Sequence, residues 1–226
     1  MIPLTLKYII DKYIQLVPDA KVYSDQCLTC SRWDGNVVLM VVDAAFTSIG
    51  MDYFHVVISG LHKFKEQYID TGEIRSVDDL PGHNSEHLTR IWRNTRSWSV
   101  AKSIASILAH IKQEKDVNDM EAFRLWAHTA DLQKLRDNPM AKVNGVGINT
   151  FQYLRIMAGV DTVMPDRIVK KIISEIMREA NTEIPSTDIE FIYNVENIAL
   201  TTGYRAVELC WMTWLIKDRK LIKEIS

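Results

Sequence analysis

The chain has only three cysteines among 226 residues: Cys27, Cys30 and Cys210. That excludes a disulfide framework, and a reducing cytoplasm is the expected compartment. Cys27-Leu28-Thr29-Cys30 is a C-x-x-C without a second pair. A closed zinc site needs four ligands, so two thiols near a turn is the preferred reading over half a zinc site or a redox pair. No apolar run approaches the roughly 20 residues that span a bilayer, and no membrane partner is expected. The start, Met1-Ile2-Pro3-Leu4-Thr5-Leu6-Lys7, lacks a basic stretch before an apolar one, so no signal peptide is read there. An excess of positive charge is missing too. The formal net charge is −2, which argues against a nucleic-acid coat protein but leaves room for a local basic face. Nucleotide-binding glycine loops, a Gly-x-Ser-x-Gly elbow and kinase signatures are absent. His83 and His87 stand at i, i+4, but not in a His-Glu-x-x-His zinc pattern, and no metal site is expected.

What is present is helical periodicity. Apolar residues recur at helical spacing over 4–17, 52–69, 85–93, 99–112 and 163–180. Val37 to Val42 is apolar on all sides, short enough for a buried strand, but its continuation through Asp43-Ala44-Ala45-Phe46 favours a buried helix. Residues 20–34 read as polar and irregular, with an extended piece near Lys21-Val22-Tyr23. Ser76 to Leu80 reads as one capped turn. Asn118 with Glu121 and Thr187 with Glu190 have capping-box spacing, and Pro165 reads as the first-turn proline of the helix after it. Tyr204 to Lys217 closes the fold. The expectation is an all-α chain of about ten helices arranged as a two-lobed bundle. One lobe covers 35–158; the other combines 1–34 with 159–226.

The candidate chemistry lies in Val143-Asn144-Gly145-Val146-Gly147-Ile148-Asn149-Thr150, followed about a helix later by Met164-Pro165-Asp166-Arg167. Two glycines between helical patterns permit a tight reversal and leave backbone N–H groups unshielded. N–H groups opening a helix can hold a phosphate. Lys142, Arg167 and Lys171 lie beside these motifs, and Arg90, Arg93, Arg96 and Lys102 surround Trp92 and Trp98. Such charges suit phosphate contacts, as they suit any solvated helix face. Asp166 can stabilise a developing positive charge or cap a helix.

Asn144-Gly145-Val146-Gly147 with Thr150, then Pro165-Asp166 with Val169 and Lys171, resembles the helix-hairpin-helix DNA glycosylases of base-excision repair. Weaker likenesses are Val41 to Ser48, Asn94 through Lys102, and a last helix bearing Trp211 and Trp214. The resemblance implies a helix-hairpin-helix motif gripping the DNA backbone through Lys142, Asn144, Gly145, Gly147, Thr150, Arg167 and Lys171. It allows a monovalent cation at the hairpin, and it implies Asp166 as the catalytic carboxylate. A flipped base would meet Asn149, Tyr153, Phe46, Trp211 and Trp214, with Tyr53 a further stacking candidate. The family's strand-cleaving members carry a lysine where this chain has Asn149, and Asn144 stands where a proline is usual. An amide forms no imine, so monofunctional hydrolysis is implied, without lyase activity. Pro165 before Asp166 is similar to alkylpurine-removing relatives. No required cofactor is expected, nor an iron–sulfur cluster, because Cys210 is the single cysteine of the C-terminal half. The expected partner is duplex DNA with a damaged or mismatched base, acted on by a monomer, nucleoid-associated if prokaryotic. A non-catalytic DNA-binding module and a helical interaction protein remain the alternatives.

Overall fold

The computed structural model describes residues 2–221, and every regular element among them is helical. The chain divides into two compact units. One joins the residues through Cys30 to those from Gly159 onward; the other runs from Ser31 to Ala158.

The 31–158 unit is built on α3 (Val37–Thr47). Asn36 starts this helix by accepting the Leu39 N–H at 2.9 Å. Val37 through Phe46 are all buried, which explains why the stretch is apolar on every side but for Asp43. Next, α4 (Ile58–Phe64) is flanked by two π-helical turns, Tyr53–Val57 and Lys65–Ile69. Asp52 caps the first by accepting the His55 N–H at 2.9 Å. Short α5 (Asp79–Gly82) and α6 (Ser85–Ile91) lead to α7 (Thr95–Lys115), then α8 (Asp119–Thr129). Asn118 and Glu121 form the expected reciprocal cap on α8. Helix α9 (Ile148–Met157) ends the unit and packs on α3 and α8.

The other unit contains α1 (Ile2–Leu16), α2 (Asp19–Leu28), α10 (Arg167–Glu179), α11 (Asp188–Thr202) and α12 (Ala206–Asp218). Thr187 and Glu190 make the second capping box, at the start of α11. On α10, Val169, Ile172, Ile173, Ile176 and Met177 turn inward, while Arg167, Lys171 and Arg178 face solvent.

Three local expectations need correction. Residues 20–34 are not irregular throughout, because α2 occupies 19–28. Ala20, Ser24 and Cys27 are its buried stripe, and α2 packs along α12. Tertiary contact with small side chains makes this helix, where the sequence showed little apolar periodicity. Pro165 is not a first-turn residue. Asp166 is the N-cap of α10, which places the proline just outside the helix. Finally, the pattern before the glycines is not an α-helix but two 3-10 pieces, Leu132–Asp137 and Met140–Lys142. Asp131 starts the first piece, and Asn138 separates the two by accepting from Trp126 Nε1 and Met140 N.

Candidate functional site

The glycine segment closes through a turn in which the Val146 N–H donates to the Val143 carbonyl at 2.9 Å. Gly145 has φ +104°, a backbone state that side chains disfavour. A Cβ there would sit 2.7 Å from Val100 Cγ2 and 3.2 Å from Arg96 Nε. The fold itself therefore requires glycine at 145, and the turn rests on the start of α7. Gly147 differs. Its φ of −94° suits any residue, and a Cβ would meet no atom within 4 Å. It is the N-cap of α9, and no side chain caps that helix. The leading N–H groups of α9 thus have no side-chain cap. In this segment Lys142, Asn144, Gly147 and Asn149 are exposed, as is Arg96 beside Gly145, whereas Thr150 is buried; Arg90 and Arg93 are exposed as well. Lys102 instead has a structural task, donating to the His83 carbonyl and to Ser85 Oγ at 2.9 Å; burial lowers its pKa.

Below this surface lies a polar cluster that the sequence reading did not single out. Asp43 is fully buried on α3. Its Oδ2 accepts from Trp33 Nε1 at 2.7 Å, Tyr53 OH at 3.1 Å and Tyr153 OH at 3.2 Å, while Oδ1 accepts from Thr47 Oγ1 at 3.2 Å. Buried Arg32 donates to the Tyr53 hydroxyl. Burial pushes the Asp43 carboxyl upward in pKa, and the Arg32 charge and the donors oppose that shift. Trp33 and Asp34 both take left-handed backbone, φ +54° and +57°, and non-glycine residues adopt it at roughly 1–2 kcal/mol each. One sequence signal did point here: a lone acid inside an apolar run must find a partner when buried.

The aromatic candidates are core residues. Phe46 is fully buried, stacked on Trp92 at 4.1 Å and edge-on to Trp98 at 5.0 Å. Tyr153 and Tyr53 are buried in the Asp43 cluster. In the other unit, buried Trp211 stacks on Tyr23 at 4.6 Å, and its neighbour Trp214 lies edge-on at 5.6 Å.

Asp166 is half-buried at the head of α10. Oδ1 accepts the Val169 N–H at 2.8 Å, and Oδ2 accepts Trp214 Nε1 at 2.8 Å. Burial raises its pKa, against the lowering effect of those donors. No family model, curated protein or solved structure matches this chain. Arg167 and Lys171 are exposed beside Asp166, while Lys170 pairs with Asp188 at 2.8 Å. Cys27, Cys30 and Cys210 are buried and form no disulfide among the described residues, and burial raises the Cys210 pKa strongly. His83 Nε2 stands 3.4 Å from Glu73, and its ring centre is 6.5 Å from that of His87.

Proposed function

We propose that the chain is a monofunctional DNA glycosylase of the helix-hairpin-helix type, hydrolysing the N-glycosidic bond of a flipped, damaged or mismatched base. Gly147 carries the reading. Glycine at 145 is explained by the protein's own packing, but glycine at 147 is not: its dihedrals are ordinary and its surroundings empty. A serine or aspartate there would cap α9 better. A bare N-cap beside exposed Lys142 and Arg96 suits a phosphodiester, whose oxygens take the place of the capping side chain. The turn closes on its own Val143–Val146 hydrogen bond.

In the reaction, the C1′–N bond breaks with its electron pair leaving on the base, and positive charge develops on the sugar. Ionised Asp166 stabilises that charge and orients the water that adds to C1′; the proton this water loses passes by way of the Asp166 carboxylate and solvent to the departing base, leaving a hydroxyl at C1′ of the abasic site, a neutral free base and an intact strand. An alkylated purine is the first substrate class to try. The test is incubation with duplexes carrying single lesions, followed by alkali. Breaks at a lesion support the enzyme, and their absence across the panel overturns it.

The second reading is a DNA-binding module without catalysis. One observation favours it: both Asp166 oxygens already have protein donors, which a structural cap alone would explain. Duplex binding without alkali-sensitive sites is its signature.

A further inference from the structure

The Asp43 cluster joins three parts of the 31–158 unit: the Arg32–Trp33 segment, the π-helical turn that carries Tyr53, and α9 through Tyr153. Most of the contacts that seat α9 are apolar, from buried Phe151, Leu154, Ile156 and Met157. Contacts of that kind are non-directional and tolerate rotation of a helix about its axis. The Tyr153 hydroxyl is directional. It meets Asp43 Oδ2 at 3.2 Å and Tyr53 OH at 3.1 Å. Two residues further along α9, Arg155 Nε donates to the Ala127 carbonyl at 3.2 Å. The Tyr153 bond toward α3 and the Arg155 bond toward the end of α8 both constrain the rotation of α9. An apolar core of equal volume would hold the helix no less firmly, so a buried charged network points to geometry rather than strength. Left-handed backbone at Trp33 delivers a further donor to the same carboxylate, and a π turn, a feature common at functional sites, presents Tyr53.

We infer that Asp43 is a positioning residue: through Tyr153 it sets the rotation of α9, and with it the place of the Gly145–Gly147 turn and the open N–H groups that follow. The geometric statement stands without any ligand. Its consequence for binding rests on the proposed grip of the turn on a DNA phosphate.

Tyr153→Phe keeps the ring and removes the tether. Thr47→Val is the matched control, because it takes a donor from the same carboxylate through a hydrogen bond made within α3. Amide exchange and amide chemical shifts are read in both folded variants without DNA. In Tyr153→Phe, exchange of the Val146 and Phe151 amides, which close the turn and the first bond of α9, is expected to rise about ten-fold over that of Ala122 in the α8 cap. The Gly145 and Gly147 amide signals are expected to move. In Thr47→Val neither changes. Equal loosening in both variants, or none in Tyr153→Phe, overturns the inference. Affinity for an undamaged duplex is measured next and is expected to fall at least five-fold in Tyr153→Phe alone. Wild-type protein that binds no duplex refutes the DNA reading while leaving the exchange result to decide the positioning role.

Discussion

Asp166 shows how one side chain can hold a structural and a chemical role together. Its first oxygen satisfies an N–H at the head of α10, and its second is held by the Trp214 indole. Asparagine caps a helix about as well as aspartate, but its single acceptor oxygen cannot serve both Val169 N–H and the Trp214 indole, because its amide nitrogen only donates. Asp166→Asn should therefore fold with a loss of about 1–3 kcal/mol from the orphaned donor, and lose about 100-fold or more in base release if its charge stabilises the sugar cation. Circular dichroism melts and the alkali assay separate the two effects; undiminished turnover would falsify the mechanism. The pH dependence follows from burial, which raises the folded pKa of Asp166 above the ordinary 3.8. A carboxyl whose folded pKa exceeds its unfolded one holds its proton more firmly when folded. The ionised form weighs against folding at neutral pH, and that load is relieved as pH falls through the raised value. The melting temperature of Asp166→Asn relative to wild type should accordingly be higher near neutrality than in acid. Catalysis runs the other way, since it needs the ionised form. The acid limb of kcat/KM should lie above the position expected for an ordinary aspartate.

At the scale of elements, the two glycines of one turn should behave as opposites. Gly145→Ala forces a side chain into left-handed backbone and against Val100, at a cost of about 1–3 kcal/mol. Gly147→Ser meets open space and supplies a better N-cap, worth a few tenths of a kcal/mol in stability. Its hydroxyl then occupies the place proposed for a phosphate oxygen, so duplex affinity should fall for every sequence alike, while the melting temperature holds or rises. Unchanged affinity in Gly147→Ser would remove the phosphate grip from that helix. The same elements show what a sequence makes visible. Both capping boxes and buried α3 were legible because a few adjacent residues determine them. Helix α2 was not, since its buried stripe is Ala20, Ser24 and Cys27 and its stability comes from α12. The π turns escape detection because a one-residue shift in hydrogen bonding leaves apolar spacing almost unchanged. The Asp43 cluster gathers residues 32, 33, 43, 53 and 153, a juxtaposition that exists only once the chain has folded. The same burial places Phe46 and Tyr153, expected at a pocket wall, in the core.

At the scale of the whole molecule, the proposed roles fall on different units. The glycine turn, Asn149 and the exposed arginines 90, 93 and 96 belong to the contiguous 31–158 unit, whereas Asp166 and Trp214 belong to the discontinuous one. The contiguous unit carries its own core, centred on α3, and Asp43 with its donors Trp33, Tyr53 and Tyr153 lies within it. Residues 31–158 alone should therefore fold cooperatively and bind duplex DNA, with affinity falling steeply as salt rises because released counterions drive the contact. Without Asp166 the fragment should generate no alkali-sensitive sites. The full chain should generate them and still leave the strand intact before alkali, since Asn149 cannot form an imine. Borohydride should accordingly trap no protein–DNA adduct with the full chain. A trapped adduct would mean that a lysine reaches the sugar, with Lys142, nearest the glycines, the first to replace. A fragment that folds but binds no duplex would move the nucleic-acid contact away from the glycine turn, and with it the argument from Gly147. Base release by the fragment would displace Asp166 instead, because the carboxylate responsible would then have to lie between residues 31 and 158.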